Sequence, residues 1–310
     1  MKKIELHLHL DGSISIDYAS KLLGRDCKDE LVGSNSTSLA DYLKRFDLPG
    51  ELLQDYDNII EFCYLLGKNL VNDGVIYAEV RFCPFFHNKS ISVDRVITAI
   101  RIGFARVKNL KVNLIFCMMR HFSFDENLKI IHLAKKYLGN GCCAIDLAGS
   151  EAQFPTKDFE ELFRIAKEEN IPFTIHAGEA DGPSSVISAI KFGTKRIGHG
   201  VRCIEDENVV KLIKENNIYL EVCPTSNIDT KTFNSMKEHS IKKLVDAGLL
   251  VTISTDNRTV SNTNLVNEYK ILRNTFNFSD DDFLRFNLNA IDAAFLSDEE
   301  KEELRRQLTE

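Results

Sequence analysis

The residues best suited to chemistry begin near the start of the chain, at His7-Leu8-His9-Leu10-Asp11. They close an apolar stretch, with Ile4 and Leu6, that reads as a short strand. Residues two apart on a strand face the same side, so His7 and His9 present two imidazoles together, with Asp11 just beyond. Two imidazoles and a carboxylate on one face can hold a divalent metal. Three further clusters could complete such a site: His176-Ala177-Gly178-Glu179, Gly198-His199-Gly200 and Ser254-Thr255-Asp256-Asn257.

Taken as one set, His7, His9, His176 and Asp256 offer three neutral imidazoles and one carboxylate. That donor set suits one Zn2+ per chain, with a position left for water. Such an ion lowers the pKa of its water from about 15.7 toward about 7. Glu179 stands three residues after His176, where a helix would begin. A carboxylic acid held in an apolar pocket can stay protonated near neutrality and donate its proton. His199, between two glycines, is expected to orient the attacking water or act as its base. Gly149 offers a bare backbone N–H to a ligand, and Asp146 is expected to have a structural, hydrogen-bonding role.

The elements that must position these residues follow from the apolar pattern. Short apolar runs recur at Ile4–Leu8, Val75–Phe82, Val112–Met118, Cys143–Ala148, Phe173–Ala177, Arg196–Gly198, Ile218–Cys223 and Leu250–Thr255. Between them lie stretches with apolar residues at three- and four-residue spacing, such as Leu162, Ile165 and Ala166. Eight strand–helix units predict an α/β fold, a (β/α)8 TIM barrel, with a doubly wound sheet as the alternative. Continuous apolar runs suggest strands buried on both faces. In a barrel, catalytic residues sit at the C-terminal ends of strands; His7/His9, His176, His199 and Asp256 each close such a run.

Residues 1–310 are expected to form one barrel domain, with residues 13–72 a helical insertion after the first strand and residues 265–310 a helical tail. In the insertion, Leu39, Tyr42, Leu43 and Phe46 follow i, i+3, i+4, i+7 spacing and make one apolar helix face. That face is either core or a lid over an aromatic ligand. Phe86 is grouped with it as a candidate pocket residue.

The chain has 310 residues, 44% hydrophobic and 27% charged, with a formal net charge of -7. This acidic balance argues against a nucleic-acid partner. Eight cysteines are scattered without a C-x-x-C pair, as expected of reduced thiols in a cytoplasmic protein. Met1-Lys2-Lys3 leads straight into the histidine motif with no apolar export segment. No apolar run approaches the ~20 residues that span a bilayer, so no membrane partner is expected.

The motifs His7-Leu-His-Leu-Asp-Gly-Ser13, Tyr77-Ala-Glu-Val-Arg81, Asp146-Leu-Ala-Gly149, His176-Ala-Gly-Glu179, Gly198-His-Gly200 and Ser254-Thr-Asp-Asn257 resemble, in order, those of the adenosine deaminase family of metal-dependent hydrolases. The resemblance implies a zinc-dependent barrel that converts adenosine, and also 2′-deoxyadenosine, to inosine and ammonia in purine salvage. It implies that His7, His9, His176 and Asp256 bind zinc and that Glu179 protonates purine N1. His199 would assist attack at C6, Gly149 would meet N3, and Asp11 the ribose 5′-hydroxyl. A small nucleoside is then the expected partner, on a monomer or weak homo-oligomer. A carboxylate at Asp11 accepts from a hydroxyl but repels a 5′-phosphate. Three positions depart from the family pattern. Asn257 replaces an acidic residue at purine N7, where an amide can still donate; Ser150 replaces an acidic residue and Cys83 a small hydroxyl residue.

Other readings share some of these motifs. A sibling aminohydrolase would act on adenine, a modified adenosine or another amino-heterocycle. A silent nucleoside-binding protein or growth factor on the same barrel is expected to lack a metal ligand or the acid, and all are present. A phosphoester hydrolase calls for basic residues at strand ends, where few are seen.

Overall fold

Strand and helix alternate along the chain as the apolar runs predict. A computed structural model describes residues 1–33, 42 and 44–309. Its strands are β1 (Lys3–His9), β2 (Val75–Phe82), β3 (Lys111–Met119), β4 (Cys142–Ala148), β5 (Ile175–Ala177), β6 (Arg196–His199), β7 (Tyr219–Val222) and β8 (Leu250–Ile253). All neighbours run parallel, in the orders β1-β2-β3-β4 and β5-β6-β7-β8.

Short backbone bridges join the two sheets. Between β4 and β5, the Ile145 N–H donates to the Pro172 carbonyl and the Thr174 N–H to the Ile145 carbonyl, each at 3.0 Å. Between β8 and β1, the Asp256 N–H donates to the His7 carbonyl at 2.9 Å and the His9 N–H to the Asp256 carbonyl at 2.7 Å. The strands therefore close on themselves as a (β/α)8 barrel, and the doubly wound alternative, in which first and last strands need not meet, falls away. β5 begins two residues later than its apolar run, because the segment at Thr174 serves the seam.

The strands are buried on both faces, as the continuous apolar runs suggest; they are apolar toward the helices and carry paired charges toward the lumen. In β1, Ile4 and Leu6 pack against Ala290, Ile291, Leu304 and Leu308 of the tail. The alternate residues Glu5 and His7 are buried polar groups. Inside the barrel the Arg81 guanidinium meets Asp146 at 2.8 Å and Glu221 at 2.7 Å, and Arg196 meets Glu221 at 2.7 Å and Glu79 at 2.5 Å. Such charges are tolerated in a dry interior because each is paired and hydrogen-bonded.

The insertion carries helices at Ile16–Leu23, Lys28–Leu31, Asp47–Leu52 and Tyr56–Asn72. Leu39 and Leu43 lie outside the described residues. Phe46 closes a short 3-10 turn, Lys44–Phe46, and is half-buried, its ring 6.2 Å from that of Tyr42. The tail forms helices Leu265–Phe276, Asp280–Ala293 and Asp298–Thr309. It is pinned to both sides of the β8–β1 seam. Asn287 Oδ1 accepts the Ile4 N–H at 2.9 Å, and Asn289 Nδ2 donates to the Val251 carbonyl at 2.8 Å. All eight cysteines are free, and among the described residues no helix is long and apolar enough to cross a membrane.

Candidate metal centre and active site

The C-terminal ends of the strands bring the expected residues together. His7 and His9 end β1, His176 lies in β5, His199 ends β6, and Asp256 follows β8. His7, His176, His199 and Asp256 offer ligand atoms all within 4.8 Å of one another. His9 joins them, with Nε2 3.3 Å from His176 Nε2 and 3.4 Å from Asp256 Oδ1. His199 and Asp256 hold left-handed backbone, φ +63° and +60°, which non-glycine residues rarely adopt. Between the imidazoles, Gly198 leaves room: a Cβ there would lie 3.1 Å from His7 Cε1.

Two of the imidazoles, His7 and His176, have a carboxylate behind them. His7 Nδ1 lies 2.9 Å from Glu221 Oε2, and His176 Nδ1 lies 2.8 Å from Asp146 Oδ2. A carboxylate on Nδ1 fixes the proton there and turns the Nε2 lone pair inward, as metal-binding histidines require. His7 Nε2 is buried with no hydrogen-bond partner, 3.4 Å from Asp256 Oδ1. An orphaned lone pair facing a carboxylate and two further imidazoles is the environment that a divalent cation fills, so the residues fit zinc.

The protonation pattern agrees. Burial pulls His7 down to about 4, aided by Arg81 and His176, and burial also holds His9 well below the usual histidine value. Both are neutral donors at pH 7. Burial opposes the charge on Asp256, yet the histidines around it, His7 foremost, hold it well below the usual carboxylate range. His176 is also lowered by burial, but Asp146 outweighs this and raises it. The Ser226 hydroxyl donates to Asp256 Oδ2 at 2.6 Å, leaving Oδ1 toward the histidines.

Glu179 lies beside this cluster, its Oε2 3.5 Å from His199 Nε2. The loop that carries it is wrapped around a second carboxylate. Glu151 Oε1 accepts the Gly178 N–H at 2.6 Å. Its Oε2 accepts those of Glu179, Ala180 and Asp181 at 3.0, 2.8 and 3.0 Å. The Ser185 hydroxyl completes the nest. Four successive donated bonds to one buried acceptor fix the loop far more tightly than a turn alone.

The remaining expected residues flank the cluster. Asp11 is outside the metal group; burial raises its carboxyl to about 6, and Oδ2 lies 3.9 Å from His87 Nε2. Gly149 turns out of β4 at φ +108°. Asn257 Nδ2 donates to the Tyr42 hydroxyl at 3.2 Å, while its Oδ1 is buried without a partner. Phe86, in the turn Pro84–Phe86, packs against His121 and Phe122 with ring centroids at 6.1 and 5.5 Å.

Sequence reasoning missed Glu151, Glu221, Ser226 and Asn227. Glu221 carried a signal, because a carboxylate inside the apolar run Ile218–Cys223 must be paired. Ser226 and Asn227 follow the end of β7, the one strand end among the second four that had been given no chemistry.

Comparison with known proteins gives a consistent picture. The family model described as adenosine deaminase matches residues 2–310. An adenosine deaminase from Clostridium perfringens is 39% identical, over 98% of this chain and 97% of its own. Among solved structures, adenine deaminase from Arthrobacter aurescens superposes with a TM-score of 0.90 at 23% identity, covering 99% and 98% of the two chains. An amidohydrolase from Burkholderia ambifaria with bound zinc gives 0.88 at 22% identity, covering 100% and 90%. At those identities the two structures speak for the fold alone.

Proposed function

The chain belongs to the adenosine deaminase family, and from its site we propose how its own residues carry out the hydrolysis of adenosine to inosine and ammonia. The reaction adds water at C6 of the purine and releases the amino group, and zinc when bound supplies a water of lowered pKa. We assign the metal to His7, His9, His176 and Asp256, whose inward atoms converge and whose outer nitrogens at His7 and His176 are held by carboxylates.

Glu179 delivers a proton to purine N1, which makes C6 electron-poor. His199, beside it, orients the attacking water. Asp11 accepts the 5′-hydroxyl, and its charge disfavours a 5′-phosphate. Gly149 presents its N–H to N3. The Tyr42 hydroxyl can donate as well as accept, so the Asn257 amide can turn and offer Nδ2 to N7. Tyr42 also ties the 13–72 insertion to Asn257, which supports reading that insertion as a cover over the rim. 2′-Deoxyadenosine fits the same scheme, because no step uses the 2′-hydroxyl.

The observation that carries this reading is the pairing of Glu179 and His199 at 3.5 Å beside the convergent donors His7, His9, His176 and Asp256. The test is turnover of purified protein on adenosine, 2′-deoxyadenosine, adenine and AMP, with and without chelator, beside Glu179→Gln. The two nucleosides should react, the chelator should stop both, and the variant should keep zinc but lose about 100-fold or more in kcat. Preference for adenine or AMP, or near-normal turnover by the variant, would overturn it.

A further inference from the structure

We infer that Asn227 and His239 are positioning residues for this reaction, fixing which nitrogen of His199 carries the proton and which oxygen of Glu179 is left free. The inference rests on the reading of His199 and Glu179 just given.

The hydrogen bonds form a chain that runs in one direction. The Ile241 N–H donates to His239 Nδ1 at 3.0 Å. A backbone amide can only donate, so this nitrogen is the acceptor. Burial pulls the His239 imidazole down to about 3, helped by the nearby His199, so the ring is neutral and its one proton is on Nε2. That nitrogen is 3.2 Å from Asn227 Oδ1, which must accept. The two ends of an amide are otherwise hard to tell apart; here the backbone of Ile241, two bonds away, decides between them.

With Oδ1 committed, Asn227 Nδ2 faces two acceptors. Glu179 Oε1 is at 3.3 Å and His199 Nδ1 at 3.2 Å. His199 therefore accepts at Nδ1, and its neutral ring carries the proton on Nε2, the nitrogen beside Glu179 Oε2. Glu179 Oε1 also accepts from the Thr230 hydroxyl at 3.1 Å. Two donors thus occupy Oε1, and Oε2 is the oxygen left to exchange a proton with the purine.

This separates His199 from the other histidines of the cluster. His7 and His176 give their Nδ1 protons to carboxylates and turn lone pairs inward. His199 meets an amide donor and turns an N–H inward. It is close enough to be counted with the ligands, yet in this tautomer its inner nitrogen has no lone pair for a metal. It orients the attacking water by donating to it, which replaces the expectation of a base. Asn227, His199 and His239 are all buried, and every side-chain nitrogen and oxygen of Asn227 and His239 has a hydrogen-bond partner. Apolar residues would fill that space at less desolvation cost.

The test is the tautomer itself, read from long-range proton–nitrogen spectra of zinc-loaded protein labelled with 15N-histidine, with the His199 signals identified by their loss in His199→Gln. Wild type should show His199 protonated on Nε2. Asn227→Asp places an acceptor where the donor was. It should move the proton to Nδ1 and lower kcat by about 100-fold or more, with KM for adenosine within about threefold and one zinc per chain retained. His239→Leu frees the amide to turn and should give mixed tautomers with a smaller loss. A wild-type proton on Nδ1, an Asn227→Asp kcat within about twofold of wild type, or a lower kcat with the tautomer unmoved would each overturn the inference. If Asn227→Asp does not fold, the wild-type spectrum and His239→Leu decide it. Any of these results with Glu179→Gln still inactive overturns the relay alone, whereas an active Glu179→Gln overturns the reading beneath it.

Discussion

Asp256 is joined to His9 twice. The His9 N–H donates to the Asp256 carbonyl at 2.7 Å, and His9 Nε2 lies 3.4 Å from Asp256 Oδ1. The backbone bridge that brings β8 to β1 is therefore also the scaffold that sets two metal ligands against each other. The His7 carbonyl takes the other half of the bridge, from the Asp256 N–H at 2.9 Å.

Metal content should therefore distinguish His9 from His199. His9→Ala should purify with well under one zinc after dialysis, and chelation should lower the Tm of wild type toward that of the variant. His199→Ala should keep one zinc per chain and lose activity. Elemental analysis decides: equal metal loss in both would make His199 a ligand.

Asp11 names the sugar. A hydrogen bond to a charged group contributes about 1.5–3 kcal/mol, so Asp11→Ala should raise KM for adenosine by about tenfold or more and leave KM for 5′-deoxyadenosine unchanged. Steady-state kinetics on both nucleosides checks this, and parallel changes would remove Asp11 from the 5′ position.

How much of this was legible in the sequence depends on distance along the chain. His7 and His9 are two residues apart on one strand, so period-two geometry alone put them together. His176, His199 and Asp256 could be added because each closes an apolar run and a barrel gathers such ends. The groups that orient them were not readable. Glu151 holds a loop 27–30 residues away, and Glu221 reaches His7 across 214. Those partners follow from topology rather than from local pattern. The charged lumen was not readable for a related reason. Glu79, Arg81 and Glu221 sit in strands that look apolar throughout, because paired charges occupy only alternate positions.

The nest around Glu151 predicts a loss of precision more than a loss of fold. In Glu151→Gln one acceptor oxygen becomes a donor facing backbone N–H groups. Stability should fall by about 1–3 kcal/mol, and kcat should drop by more than KM changes, with zinc retained because no ligand moves. Chemical denaturation, metal analysis and kinetics on one preparation test this; an unchanged kcat would detach the loop's rigidity from proton delivery.

Stability should also carry a pH signature from Glu268. It is buried, and burial raises its carboxyl to about 7 against the opposing hydrogen bonds from Thr225 and Thr263. Its folded pKa is thus above the unfolded value of about 4.3. The folded form keeps a proton that the unfolded chain gives up, so its contribution is complete below about pH 4 and is lost as the pH rises through about 7. Glu268→Gln should therefore narrow the gap in unfolding free energy between pH 5 and pH 8, by up to about 3 kcal/mol. A difference that stays as large in the variant assigns it elsewhere.

The seam at Asp256 has a consequence for synthesis. Chains grow at about 5–20 residues per second, so Asp256 follows His7 out of the ribosome by on the order of 12–50 s. Through that interval the nascent half-barrel carries β1 as an open edge, with unpaired backbone groups able to pair with another chain. Two imidazoles on it stand ready for any passing cation. Arrival of the last strand ends both exposures at once. It covers the edge and supplies the carboxylate, so the chain cannot finish its metal site before it has closed its barrel.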